Sequence, residues 1–152
     1  MSKVRHSALV VGQLTAILCM SLAGLALAEN KVITPPDWPK GSTSSSGILT
    51  DGILYISGQV GEDPKTHKIP TNFEAEMKNC LSNIGSVLKA AGMEPKDVVA
   101  VQVYLTDLTL FPRMNAVYTT FFAEPRPTRT TVGVAKLTAE GAHIEITVTA
   151  RK

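Results

Sequence analysis

The residues best equipped for chemistry lie in the last third of the chain. The segment Glu124-Pro125-Arg126-Pro127-Thr128-Arg129-Thr130-Thr131 places an arginine just past two prolines. Proline fixes its own backbone angle and restricts the residue before it, so the approach to a following strand is stiff. A guanidinium held in one direction suits bidentate capture of a carboxylate. The plainer role for Arg129 is a surface ion pair. Further on, Glu145 sits between Ile144 and Ile146, the one acid in a strand-like alternation of apolar and polar residues.

Other chemistries find little support. Beyond the first 28 residues the histidines are His67, in a polar loop, and His143, at a strand start; neither has ligand-type spacing to Cys, Asp or Glu. Both read as surface residues, and no metal site is expected. There is no G-x-S-x-G elbow, P-loop or G-x-G-x-x-G. Ser57-Gly58-Gln59 ends a strand without an evident base partner, and the adjacent acids Glu62-Asp63 sit in a loop, an unsuitable pair for glycoside cleavage. Cys80 lies on an apolar helical stripe and reads as core filling.

The elements that must position Arg129 and Glu145 begin after an N-terminal segment of different character. Lys3, Arg5 and His6 form a basic start, Ala8 to Ala28 carries no charge, and the run closes Ala26-Leu27-Ala28 before Glu29-Asn30. That order is expected of a secretory signal over residues 1–28, cleaved after an A-x-A site. An uncleaved membrane anchor is the alternative, since the run approaches the ~20 residues that span a bilayer. Gly12, Gln13, Ser21 and Gly24 dilute the run, and Cys19 follows Ile17-Leu18, unlike a lipid attachment site. Cleavage implies a periplasmic or secreted protein with no membrane attachment. Of the 15 basic residues two fall in this segment, so residues 29–152 hold 13 against 13 acidic ones. A neutral chain without a basic cluster argues against nucleic acid as a partner. One cysteine beyond the signal excludes an intramolecular disulfide there.

Residues 29–46, rich in Pro, Ser, Thr and Lys, read as an irregular arm, and 47–152 as one domain. Ile48–Thr50 and Ile53–Gln59 are short strands joined by Asp51-Gly52, a hairpin signal. Between Asn72 and Ala91, Phe73, Met77, Cys80, Leu81, Ile84, Val87, Leu88 and Ala91 recur at three- and four-residue steps, which predicts a helix. Thr71 or Asn72 caps it, Glu74 and Glu76 suit its positive end, and Gly92 stops it. Val98–Leu105 is a strand, Leu110–Phe122 a second helix, and Thr130–Lys136 and His143–Thr149 two final strands. The order β-β-α-β-α-β-β predicts an α+β sheet with two helices on one face.

Strand alternation then sorts the last two strands. Ile144, Ile146 and Val148 share a face, as do Val132 and Val134, and these are expected to meet the helices. Arg129, Thr131, Gly133 and Ala135, with His143, Glu145, Thr147 and Thr149, are expected on the opposite face. That face is either solvated or packed on another subunit; its small residues lean toward an interface whose cleft an Arg and a Glu could line.

Four blocks resemble the RidA (YjgF-type) family: Ile53-Leu54-Tyr55-Ile56-Ser57-Gly58-Gln59-Val60; Asn79-Cys80-Leu81-Ser82-Asn83-Ile84 with Ala90-Ala91-Gly92; Asp107-Leu108 through Asn115-Ala116-Val117-Tyr118 to Phe121-Phe122; and Pro127-Thr128-Arg129 with Ile144-Glu145-Ile146. They keep the family's order and spacing over nearly all of residues 47–151. The resemblance implies a chorismate-mutase-like fold, a homotrimer whose sheets form a central barrel, and active sites between subunits. It implies hydrolysis of 2-imino or enamino acids to 2-keto acids and ammonia without a cofactor. Carried over by position, Arg129 anchors the substrate carboxylate and Glu145 positions the attacking water. Asn115, Ser57, Gly58 and Thr131 line the cleft. Three departures stand out. Ser44 occupies the place of the tyrosine in the family's Gly-Pro-Tyr-Ser motif, Leu137-Thr138 replaces the usual Leu-Pro before a loop one residue longer, and export would separate the protein from the cytoplasmic enzymes that generate enamines, which leaves the substrate open. Thr131 stands where a cysteine is frequent. Two rival functions accompany this one: a non-enzymatic binder of small carboxylates, and a ribonuclease or translation inhibitor.

Overall fold

In the computed structural model the described residues are 29–36, 38 and 41–152. The predicted signal over 1–28 lies outside them. Six strands and two long helices follow in the order β1 Lys31–Ile33, β2 Gly47–Thr50, β3 Ile53–Val60, α1 Phe73–Ala90, β4 Val98–Leu105, α2 Phe111–Phe121, β5 Thr128–Gly133 and β6 Ile144–Arg151. They build one mixed sheet ordered β1-β2-β3-β6-β4-β5, an α+β fold.

Local chemistry explains the punctuation. The β2–β3 hairpin turns on Asp51 and Gly52 at φ 48° and 74°, the paired positive angles of a primed turn that matches strand twist. α1 opens on the Asn72 side chain, which accepts from the Ala75 N–H at 2.9 Å. It closes at Gly92, whose φ of 70° is cheap only without a Cβ. α2 carries Pro112 in its first turn, where a missing N–H is harmless. Across the two helices, Arg113 donates to both Glu74 carboxylate oxygens at 2.7 Å, which holds the Glu74 carboxyl down at about 2.

Both helices cover one face of the sheet. Leu54, Ile56, Val101, Val103, Ile144, Ile146 and Val148 meet Met77, Cys80, Leu81, Ile84, Leu88, Met114 and Phe122 in a continuous buried core. Full burial of a Leu, Ile or Met is worth ~1.5–3 kcal/mol each, enough in sum to dictate which face the helices take. The other face leaves Tyr55 and Val132 exposed.

Three expectations need correction. The arm over 29–46 is not wholly irregular: Lys31–Ile33 pairs with Leu49–Gly47 as an edge strand, Ile33 is buried, and the Ser46 hydroxyl donates to the Ile33 carbonyl. The fifth strand spans Thr128–Gly133 and not Thr130–Lys136. β6 inserts between β3 and β4, and β5 runs parallel to β4 at the sheet edge. β5 stops at Gly133, because its partner β4 ends at Leu105, whose carbonyl takes the last bond from the Val134 N–H. Finally, the faces of β5 are reversed. Val101 is in register with Arg129 on one side and with the core residue Val148 on the other. Laterally paired residues share a face, so Arg129 and Thr131 lie on the helix side and Val132 on the open side. Glu145, Thr147 and Thr149 remain on the open face as expected.

Candidate active site

Arg129 leaves the second position of β5 and runs beneath α2. Its guanidinium carbon stands 4.6 Å from the ring centre of Tyr118 and 5.4 Å from that of Phe111. A cation over an aromatic face is stabilised by the ring quadrupole. Its Nη1 donates to the Asn115 side-chain oxygen at 2.8 Å and lies 3.9 Å from the Met114 sulfur. Two rings and one amide thus hold a half-buried guanidinium in place. Among the described residues no carboxylate pairs with it. A guanidinium offers five N–H donors, so most of its capacity to hold an anion is uncommitted.

On the same side of the sheet two buried polar atoms have no hydrogen-bond partner among the described residues, the hydroxyl of Tyr118, whose ring lies under this cation, and Thr131 Oγ1. Such orphans cost ~1–3 kcal/mol each where nothing replaces water. Burial pushes the Tyr118 phenol above its ordinary range against the pull of Arg129 and Arg126, so the group stays an O–H donor. Tyr118 did not emerge from the sequence as a site residue, because its place on the helical stripe of α2 marks it equally well as core.

Glu145 is half-buried on the open face and reaches across to β3. A Cβ built on Gly58 would lie 1.8 Å from the Glu145 Oε1 atom and 2.8 Å from its carboxyl carbon. Only glycine allows the carboxylate to lie there, and the irregularity of β3 between Ile56 and Gln59 presents that backbone to it. Ser57 is otherwise engaged. Its hydroxyl donates to the Ser45 carbonyl at 2.7 Å and its N–H to the Ser46 carbonyl at 3.0 Å, which straps the N-terminal arm along β3.

The expected site residues therefore form two half-sites. Arg129, Asn115 and Thr131 gather at the α2–β5 edge; Glu145, Gly58 and Ser57 gather at the β3–β6 seam. Within one chain they do not converge. Arg129 is in register with Val101 and Glu145 with Tyr104, three positions apart along β4 (104 − 101), and the side chains leave opposite faces. At ~3.3 Å per residue this is an axial offset of about 10 Å, with β4 lying between the two strands.

The remaining candidates are structural. Cys80 is fully buried, its thiol donates to the Gln59 carbonyl at 3.1 Å, and burial, followed by Glu76 and Glu145, drives its ionisation far up. It is no nucleophile. Glu76 is not a solvated helix-start acid but is fully buried. Its Oε1 accepts from the N–H groups of His143 and Ile144 at 2.6 and 3.3 Å, and Oε2 lies 2.8 Å from the His143 imidazole. That carboxylate docks the start of β6 onto α1 and so sets where Glu145 falls. His67 pairs with Glu62 at 2.8 Å. Among the described residues no three His, Cys, Asp or Glu side chains cluster as metal ligands.

A mixed sheet covered on one face by two helices, with a free guanidinium on one edge and a glycine-seated carboxylate on another, defines the class. Residues 39–152 match the family model described as Endoribonuclease L-PSP, and the chain belongs to that family, the RidA/YjgF proteins. A RutC family protein of Saccharolobus solfataricus is 43% identical over 109 residues, 71% of this chain and 86% of that one. A 2-iminobutanoate/2-iminopropanoate deaminase of Rattus norvegicus is 39% identical over 103 residues, 67% of this chain and 74% of that one. Among solved structures, RidA from the Antarctic bacterium Psychrobacter sp. PAMC 21119 superposes with TM-score 0.76 at 34% identity, covering 80% of this chain and 99% of that one. Escherichia coli TdcF with bound serine superposes with TM-score 0.75 at 30% identity, covering 80% and 98%.

Proposed function

We propose that this protein is an exported imine deaminase that hydrolyses 2-imino acids to 2-keto acids and ammonia, in a pocket shared between copies of the chain. The observation that carries the reading is the Arg129 guanidinium, oriented by Asn115 and two aromatic rings and left without an anionic partner among the described residues. A 2-imino acid supplies that partner as its carboxylate. The rat relative carries the name of this reaction, and TdcF holds an amino acid, serine. The charge pattern of the first 28 residues supports export.

Since the two half-sites face apart in one chain, a pocket using both draws Arg129 from one copy and Glu145 from the next, as in a homotrimer. The exposed Tyr55 and Val132 lie on the face such packing would cover. With the carboxylate held on Arg129, the imine carbon faces a water positioned by Glu145. The imine enters protonated, as its iminium form. Water adds to C2 and gives a proton to Glu145 while the C=N electron pair moves to nitrogen, which forms a carbinolamine. Its amine takes that proton from Glu145, the C–N bond breaks as ammonia leaves, and the hydroxyl proton passes to Glu145 as the C=O bond forms; ammonia then takes it up as ammonium. No cofactor enters. The protein contributes orientation and fixed charge.

Arg129→Ala is expected to abolish ammonia release from freshly generated 2-iminobutanoate while leaving the assembly state intact; unchanged turnover would reject the assignment. A second reading, a carboxylate-binding protein without turnover, draws on Ser44 in the tyrosine position. It predicts ligand-induced thermal stabilisation with no ammonia released. Against a ribonuclease stands the balance of 13 basic and 13 acidic residues in 29–152, which gives no net positive charge to draw a phosphate backbone.

A further inference from the structure

One cavity takes no part in the proposed chemistry, yet it shares a wall with it. It is a solvent-open pocket of about 270 Å³ between the N-terminal arm, the irregular stretch of β3 and the exposed flank of α1, and Trp38, Ser44, Gly58, Ser82, Ser86 and Val87 are among its walls. Gly58 is common to both regions, for it seats the Glu145 carboxylate and also borders this space.

Two of the walls are tied to the sheet and to α1. Ser57 bonds the arm to β3 at Ser45 and Ser46. Asn83 on α1 donates to the carbonyls of Val60 and Glu62, both at 3.0 Å, anchoring the loop that closes the far side. Walls tied in this way make a site that exists before its occupant arrives, which lowers the cost of ordering on binding.

The lining states what it accepts. Trp38 and Val87 offer apolar contact and the serines offer hydroxyls at the rim. Among the described residues the charged lining side chains are Glu62 and His67, and they pair with each other at 2.8 Å. Neither is left to take an anion or a cation. As to size, a cavity of roughly 150 Å³ takes up benzene, so about 270 Å³ is space enough for an aromatic ring.

We infer that this cavity is the side-chain pocket of the same site, and that the preferred substrates are 2-imino acids with a bulky, uncharged, aromatic or large aliphatic substituent. The inference rests on the imine-deaminase reading. The carboxylate lies on Arg129 of one copy, the imine carbon lies beside Glu145 and Gly58 of the next, and the substituent runs past Gly58 toward Trp38.

The test uses the full-length protein as it is produced, with imines freshly made by an amino-acid oxidase from phenylalanine and from 2-aminobutanoate. Ammonia release gives kcat/KM for each. Wild type is expected to favour the phenylalanine-derived imine. Ser44→Phe fills the pocket from the arm and Ser86→Leu narrows it from α1. Both positions are exposed, so neither change strains the core. Each is expected to lower the ratio of the two kcat/KM values by about tenfold or more. A wild type that prefers the small imine, or a ratio unmoved in both variants, overturns the pocket assignment. If Arg129→Ala is inactive while the ratio stays put, only the pocket falls. If Arg129→Ala retains activity, or neither imine is turned over, the deaminase reading falls with it.

Discussion

Gly58→Ala tests the geometry around Glu145 with a single methyl group. The added Cβ would sit 1.8 Å from the Glu145 Oε1, whereas ordinary contact begins at 3.4 Å, so the carboxylate must retreat by at least 1.6 Å (3.4 − 1.8). Rotating the tip alone does not suffice, since the Cδ and Cγ atoms would lie at 2.8 and 3.1 Å from the same methyl. The carboxylate is half-buried at a sheet surface with space to move, so the backbone need not yield. Replacing a strand glycine removes ~0.5–1 kcal/mol of unfavourable chain entropy, which offsets part of the clash. Stability is therefore expected to change by no more than about 1 kcal/mol. Activity behaves differently, because a 1 Å misplacement of a reacting group costs ~10²-fold. The expected result is a melting temperature within a few degrees of wild type, with kcat for imine hydrolysis down about a hundredfold or more. Wild-type kcat in a folded Gly58→Ala protein would refute the role given to the Glu145 carboxylate in its observed position.

Two further predictions concern the scaffold. Glu76→Ala strips the buried acceptor from the His143 and Ile144 N–H groups and the His143 ring. It is expected to cost about 3 kcal/mol in chemical denaturation, the sum of orphaned donors; a loss under 1 kcal/mol would show that β6 docks without that carboxylate. The Glu74 carboxyl is held down at about 2 by Arg113. A folded pKa below the ordinary 4.5 gives stability that is full above that value and lost as the pH falls from 4.5 toward 2. Arg113→Ala should flatten this part of a melting-temperature profile, and an unchanged acid slope would count against the pair.

Much of this architecture is readable in the residues. Asn72, the stripe from Phe73 to Leu88, Gly92 and Asp51-Gly52 each act through local chemistry, and the elements they bound lie within a residue or two of expectation. What was misread depends on distant partners. Val132 and Val134 argued by alternation for an outward Arg129, whereas its parallel register with Val101 turns it under α2, where Tyr118, Phe111 and Asn115 make burial tolerable. β1 was hidden among prolines and serines, because an edge strand of three residues needs only Val32 opposite Ile48 and a buried Ile33. Glu76 did leave a signal. It falls three residues after Phe73 and four before Cys80, on the buried stripe of α1, and a carboxylate there requires donors from elsewhere in the fold.

The account turns on Arg129 and Glu145 reaching one pocket from different copies of the chain. Arg129→Ala and Glu145→Ala subunits, each inactive alone, should be unfolded together, refolded as a mixture and assayed for ammonia release from 2-iminobutanoate. Random mixing places an intact Arg129 opposite an intact Glu145 at roughly a quarter of interfaces (one half times one half), so about a quarter of wild-type turnover is expected to return. Mixed assemblies that form but stay inactive would contradict the shared pocket.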